Sequence, residues 1–321
     1  MTRPVAVYTD LVETDPQPGI DELEAAGFEV RVADSVDPEV ITALASDADA
    51  LLIGYSPIDR TLISRLGNLK IIATQSVGFD MVDAQAAAEQ GIWLANVPGA
   101  ATEEVATHAF AMAMAMLRGL PFLDRAVRSG VWDGTRERLR RPSEVTVGVL
   151  GLGRIGSRFA ALARPVVGRV VGYDPFQAGP DDIERLDLNE ILEVSEVVSL
   201  HLPLTQGTQR ILDGPRLALL PDGAFIINVS RGGLIDHDAL LEMLDTGRLG
   251  GAGLDVLPHE PPRPQDRILG HPRVLLSPHA AYLSAATQRD YVLHQARNVI
   301  RWHAEGTPDS PVNIPAPLTT I

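Results

Sequence analysis

Val147-Gly148-Val149-Leu150-Gly151-Leu152-Gly153-Arg154-Ile155-Gly156 is the stretch that decides how this chain is read. An apolar run suited to a buried strand passes into G-x-G-x-x-G and then into a helical pattern, so the glycines fall on a strand-to-helix turn. Each has a task there. Gly151 permits the tight turn, Gly153 lets backbone approach a pyrophosphate, and Gly156 lets helix and strand pack closely. The helix start offers N–H groups and the positive dipole end to phosphates. A glycine pattern alone is a weak signal, because glycine-rich turns are common. Asp174 strengthens it: it ends the next strand, 18 residues after Gly156, where a carboxylate accepts hydrogen bonds from ribose hydroxyls. The structural alternative is a turn residue before Pro175. Its charge would repel a 2′-phosphate, which favours NAD over NADP.

Working outward, strands are expected at 145–150, 169–173, 197–202, 224–228, 251–255 and 274–276, six in βα alternation, as in a dinucleotide-binding domain. The first hundred residues use the same grammar, with strands at 5–8, 29–33, 50–54, 70–75 and 93–96 and helical stretches at 19–26 and 38–46 between them. Pro98-Gly99 breaks that series, and a long apolar helix runs from Thr102 to about Leu117. A last helix over 285–304 leads into a Pro-rich tail, 308–317, and is long enough to return to the first domain. The fold expected is α/β, with two doubly wound parallel-sheet domains (Rossmann-like and flavodoxin-like) and a cleft between them. Their expected bounds are 1–98 with 285–321 for a substrate domain and 99–284 for the NAD-binding domain.

Length and composition agree with this. The 321 residues suffice for two cores, and a chain 45% hydrophobic and 21% charged is ordinarily globular. A net charge of −15 repels phosphate backbones and argues against nucleic acid as a partner. The basic run 136–141, with four arginines, reads as a solvated linker. The absence of cysteine removes disulfides, thiolate metal sites and cysteine nucleophiles, and no metal site is expected. The only lysine is Lys70 and position 66 is leucine, so a catalytic Tyr-x-x-x-Lys pair is excluded. Neither a leader nor an apolar run of membrane-spanning length is visible, so the expectation is a cytoplasmic protein with no membrane partner.

In a doubly wound sheet the ligand crevice lies outside the carboxyl ends of the strands. Arg231, Glu260 and His279 each follow a strand end in the second domain. Histidine can give and take a proton near neutrality. Arginine holds a carboxylate with a planar, paired fork. A glutamate on the far nitrogen of His279 would fix its tautomer and favour imidazolium, an upward shift. Together they suit reduction of a 2-keto acid. Taken singly, Arg231 could cap a turn and Glu260 could be a solvated loop charge. Among the other histidines, His108 reads as packed within the apolar helix, and His237, His259, His271, His294 and His303 as surface or loop residues. His201, ending the strand 197–202, is the competing candidate, with backbone contact the expectation there.

The runs VGVLGLGRIG (147–156), HLPLTQGT (201–208), INVSRGGLID (227–236), GLDVLPHEP (253–261) and SPHAA (277–281) resemble those of the D-isomer-specific 2-hydroxyacid dehydrogenases. SVGFD (76–80) and NVPGAATEEVA (96–106) extend the likeness over almost the whole chain. The resemblance implies an NAD-dependent oxidoreductase acting on a small 2-keto or D-2-hydroxy acid, with Arg231, Glu260 and His279 as the catalytic set. It further implies cofactor contacts from Arg154, Ile155, Asp174, Pro203, Thr208 and Val229, with Asp255 bonding the nicotinamide amide. Backbone near Val77 and Gly78 would hold the substrate carboxylate beside Arg231. A homodimer through the helix starting near Thr102 is also implied. Ala280-Ala281-Tyr282 after His279 is more similar to the branch containing the C-terminal-binding-protein corepressors, and Tyr282 would then wall the substrate pocket. The loop 54–57 is the other expected determinant of which acid is taken. Alternatives on the same resemblance are an NAD-sensing, corepressor-like dimer with little turnover, and a phosphonate- or formate-type dehydrogenase.

Overall fold

The computed structural model describes residues 3–11, 14–136, 139–177 and 179–316. Positions 137 and 138 in the arginine-rich run, and 317 in the Pro-rich tail, lie outside the described residues. In chain order the elements are β1 (Val5–Tyr8), α1 (Gln17–Ala25), β2 (Glu29–Val32), α2 (Pro38–Ala45), β3 (Ala50–Ile53), α3 (Arg60–Arg65), β4 (Ile71–Thr74), α4 (Ala84–Glu89) and β5 (Trp93–Ala95). Next come α5 (Thr102–Leu117), α6 (Leu120–Arg128), β6 (Thr146–Leu150), α7 (Arg154–Ala163), β7 (Arg169–Tyr173), β8 (Glu184–Arg185), α8 (Leu188–Val194) and β9 (Val197–Leu200). The remainder are α9 (Gly214–Leu217), β10 (Ala224–Asn228), α10 (His237–Asp245), β11 (Leu249–Leu254), α11 (Arg267–Gly270), β12 (Val274–Leu276) and α12 (Ala285–Glu305). The chain divides into two compact units, Met1–Ala100 with Ser284–Ile321, and Ala101–Leu283.

The first unit is built on a parallel sheet in the order β2-β1-β3-β4-β5. That is the flavodoxin-like doubly wound order. Its three inner strands β1, β3 and β4 are buried along their whole length, as strands covered on both faces must be. Two separate apolar clusters, one containing Ile41, Leu51 and Ile63 and the other Leu23, Phe28 and Val299, form its core layers. The C-terminal segment is sewn into this unit by polar side chains. Gln295 on α12 donates to the carbonyls of Ile53 and Ala73, Asn298 donates to Asn96, and Asn313 accepts from the Leu94 amide.

The second unit carries a parallel sheet in the order β12-β11-β10-β9-β6-β7-β8. Its strand order reverses between β6 and β9, as in the dinucleotide-binding fold. The six expected strands are present, and a seventh, β8, is a two-residue polar edge strand beside β7 that no hydrophobic pattern announces. Leu150, Val198, Leu200, Ile226 and Leu254 anchor the core under the carboxyl ends of the strands. The helix α5 buries Val105, Ala109, Met112 and Met116 within this unit. Among the described residues no single helix is long and apolar enough to cross a membrane; α5 and α6 reach that length only as a pair bent by 59°.

Candidate active site

At the end of β6 the chain turns at Gly151 with φ +98°, a conformation that only glycine adopts freely. A Cβ on Gly156 would lie 1.8 Å from the Gly151 carbonyl oxygen, so the first turn of α7 closes onto the loop only because that position has no side chain. Gly153 differs. A Cβ there would meet nothing nearer than the Gln177 side chain at 3.9 Å, so the protein's own packing does not demand glycine. An open backbone at a helix start fits a phosphate approaching from outside the chain. The residues present therefore fit a dinucleotide.

Asp174, just past β7, is 8% exposed. Its carboxylate accepts from the Leu152 amide at 2.8 Å and from the Phe176 and Gln177 amides at 2.8 and 2.9 Å. It thereby ties the glycine loop to the end of β7. With about four acceptor positions on a carboxylate, capacity remains for a ribose hydroxyl. Of the other expected cofactor contacts, Arg154 and Ile155 open α7. Thr208 Oγ1 donates to the Pro203 carbonyl at 2.6 Å and so closes the turn after β9. Val229 lies buried after β10.

Two of the three candidate catalytic residues, Glu260 and His279, are in contact, and the charge of Arg231 acts on Glu260. His279 Nδ1 lies 2.6 Å from Glu260 Oε2. A carboxylate can only accept, so Nδ1 carries the proton in this contact. Glu260 Oε1 accepts from the Leu257 amide at 2.8 Å, which fixes the carboxylate plane. Partial burial alone would raise the Glu260 carboxyl, but the bonds from His279 and Leu257, with the charges of His279 and Arg231, outweigh it and hold the group below its ordinary value.

Arg231 follows β10 on a turn held by buried Asn228, whose amide accepts from Ser230 N and donates to the Arg231 carbonyl. Ser230 Oγ in turn donates to the Leu200 carbonyl at 2.8 Å. The next residue, Gly232, sets the approach: a Cβ there would lie 2.1 Å from the Leu257 carbonyl carbon. The turn bearing Arg231 therefore packs directly on the loop that leads to Glu260. Neither Asn228, Ser230 nor the Leu257 amide was singled out from sequence; an Asn closing an apolar strand was the available signal.

The backbone of His279 sits in the left-handed region, φ 52°, which non-glycine residues seldom adopt. Asp255 holds it there. The Asp255 carbonyl accepts from His279 N at 2.8 Å, while its side chain, 2% exposed, accepts from Ala280 N at 2.9 Å and Ala281 N at 3.0 Å. Tyr282 presents an edge-on ring to His279, with centroids 6.3 Å apart. In the first unit, Val77 and Gly78 lie on the loop after β4, with the Val77 carbonyl accepting from Asn96 Nδ2 and the Gly78 carbonyl from Ser76 Oγ. The loop 54–57 is organised by Asp10, which accepts from the Gly54, Tyr55 and Ser56 amides.

Several histidine readings change. His201 makes a side-chain bond, Nε2 to Ser199 Oγ at 2.9 Å, and packs on Phe159 at 5.0 Å; burial pushes it down to about 3, so it stays neutral. His237 opens α10 and is lowered by burial, while His271 is a loop residue in the turn after α11, its side chain 9% exposed and its Nδ1 accepting from Arg273 N. His108 is not simply packed, since its Nε2 lies 2.9 Å from Ser277 Oγ. The helical period placed it near the sheet but could not show a polar partner 169 residues away. No group of three or more metal-binding side chains occurs among the described residues.

Residues 110–281, over half of the chain, match the family model described as D-isomer specific 2-hydroxyacid dehydrogenase, NAD binding domain. The chain belongs to the D-isomer specific 2-hydroxyacid dehydrogenases. This 2-hydroxyacid dehydrogenase is 34% identical over 310 residues to a glyoxylate reductase of Korarchaeum cryptofilum, covering 93% of each chain. It is 30% identical over 312 residues to a D-3-phosphoglycerate dehydrogenase of Archaeoglobus fulgidus, covering 95% of its own length but only 59% of that longer protein. The crystal structure of a glyoxylate reductase from Paecilomyes thermophila matches it with a TM-score of 0.89 at 28% identity, covering 97% of this chain and 99% of that one. Family membership makes NAD the cofactor of the second unit of this 2-hydroxyacid dehydrogenase.

Proposed function

We propose that the protein reduces a small 2-keto acid to the D-2-hydroxy acid at the expense of NADH, or runs the reverse reaction. The observation that carries this reading is the 2.6 Å contact between His279 Nδ1 and Glu260, beside the Arg231 turn. Gly151, Gly153, Arg154, Ile155, Gly156, Asp174, Pro203, Thr208, Val229 and Asp255 would hold the dinucleotide, which supplies the hydride delivered to C2. Arg231 binds the substrate carboxylate with its fork and aligns the carbonyl. His279 Nε2 gives a proton to the carbonyl oxygen as it becomes a hydroxyl, and in the reverse direction takes it back. Glu260 orients the imidazole through its contact with Nδ1. The sum is keto acid, NADH and a proton giving hydroxy acid and NAD⁺.

On substrate size, the Tyr282 ring beside His279 and the likeness to a glyoxylate reductase over 93% of each chain support a compact acid such as glyoxylate, with Tyr282 bounding the pocket. Following NADH absorbance with glyoxylate, hydroxypyruvate, pyruvate and bulkier keto acids tests this. Turnover highest with the smallest acids is expected. Tight NADH binding without turnover of any keto acid would reject the enzyme reading in favour of a nucleotide-sensing role. We further propose that the protein pairs with a second copy of itself through the helix starting at Thr102, with the exposed Leu120, Val127 and Trp132 that follow it extending the contact. A light-scattering mass of about 35 kDa on a sizing column would reject the dimer.

A further inference from the structure

Asp255, Ser277 and His108 form a hydrogen-bonded line from α5 to the turn that bears His279. Ser277 Oγ lies 2.5 Å from Asp255 Oδ1 and 2.9 Å from His108 Nε2. The directions follow from counting protons. The Asp255 carboxyl oxygens already act as acceptors for the Ala280 and Ala281 amides, so the single Ser277 hydroxyl proton goes to Asp255. Ser277 must then accept from His108, which fixes the proton on Nε2 of that ring. His108 Nε2 also lies 3.8 Å from Asp255 Oδ1. The carboxylate at the end of this line holds the Ala280 and Ala281 amides, and its backbone carbonyl holds the His279 amide. Asp255 is almost fully buried, so no bulk water replaces a lost donor to its carboxylate, and an unmet acceptor there is costly.

We infer that His108 is a positioning residue for the proposed reaction, holding the left-handed turn at His279 in place through Ser277 and Asp255. The inference rests on His279 being the proton donor, while the hydrogen-bonded line itself is observed directly in this chain. A packing role for His108 makes a different demand. Leucine would satisfy an apolar helix position, whereas only a donor satisfies Ser277.

The test pairs His108→Leu with His108→Gln, whose amide can still donate to Ser277, and adds Ser277→Ala and the His108→Leu/Ser277→Ala double variant. Thermal melts verify folding, kcat and KM are measured with NADH and the best keto acid, and amide hydrogen exchange at 280 and 281 is followed by NMR. We expect His108→Leu and Ser277→Ala each to lower kcat about tenfold, the size of one charge-assisted hydrogen bond, with KM for NADH changed less. Exchange at 280 and 281 should accelerate by a similar factor. His108→Gln should stay within about threefold of wild type, and the double variant should be no worse than the worse single, since both cut one line. Equal behaviour of the Leu and Gln variants, or additive losses in the double, overturns the inference. Should the wild type turn over no keto acid, the proposed reaction fails, and the exchange rates still decide the hydrogen-bonded line.

Discussion

His201 and His279 both stand just beyond strands of one sheet, after β9 and β12, and the sequence around each is apolar followed by a turn. Their surroundings separate them. His279 is partly open to solvent and has a carboxylate at 2.6 Å on one nitrogen. The His201 ring is enclosed against Phe159, has Ser199 as its side-chain hydrogen-bond partner and, among the described residues, leaves Nδ1 without a hydrogen bond. A histidine can serve as acid and base only where both protonation states are affordable, and burial without a counter-charge removes one of them. Position at a strand end selects both residues; a carboxylate brought in from a distant loop selects one.

The sharpest break of this contrast is His279→Ala against His201→Asn. Losing the proton donor should cost kcat about 10²- to 10⁴-fold, the ordinary range for general acid catalysis, while His201→Asn should leave kcat within about threefold once folded protein is compared, as expected of a group outside the chemistry. Steady-state NADH oxidation measures both. Comparable losses in the two variants would erase the distinction.

Next in size is the substrate clamp. Arg231→Lys replaces a planar fork with a point charge and should lower kcat/KM by about 10²-fold, the magnitude of one or two charge-assisted bonds. The loss should appear mainly in KM for the keto acid if the carboxylate contact is equal in ground and transition states. Unchanged kinetics would place the carboxylate elsewhere.

Glu260→Gln probes what makes His279 different from His201. The amide oxygen can still accept from Nδ1, so only the charge is lost and kcat should fall by about tenfold. The sign with pH follows from the direction of its shift. Because the folded carboxyl is held below its ordinary value, its bond to His279 is complete above the usual carboxylate range and is lost as pH falls through the depressed folded value. Wild type and Glu260→Gln should differ most near neutrality and converge at acid pH. A pH-independent ratio of their rates would show that the charge is not what the glutamate contributes.

These contrasts also mark what a linear sequence can carry. The two sheets were legible because buried parallel strands are apolar runs: β1, β7, β10 and β12 have the bounds expected from pattern alone, as does the helix α5. The six-residue helices α3 and α4 are too short for a 3.6-residue period to show and are set instead by Asp59 and Asp83 accepting from amides three residues on. At the site, the strand-end rule selected Arg231, Glu260 and His279, and the structure brings Glu260 and His279 into contact. The polar supports were not legible. Asn228, Ser230 and Ser277 act through backbone carbonyls and carboxylates whose approach depends on register, and the His108 partner lies on another element altogether. Asp174 shows the same limit from the other side, for its spacing from the glycines was informative but its three amide donors were not.

The smallest effect concerns stability rather than rate, and it isolates what burial does to His201. In the unfolded chain a histidine titrates near 6.5, whereas the buried ring is pushed down to about 3. Above the unfolded value both states are neutral and the group is silent. Below it the unfolded chain takes up a proton that the folded one refuses, so stability falls with decreasing pH at up to about 1.4 kcal/mol per unit until the folded value is reached. His237, also lowered by burial, adds to the same slope, so the informative quantity is the difference between proteins. His201→Asn should be less stable overall, having lost its packing on Phe159, yet its melting temperature should decline less steeply between about pH 6.5 and 4.5 than that of wild type. Parallel curves for the two would mean that water or a ligand reaches the ring in the folded protein, and the enclosed histidine would then have to be counted with the reactive one.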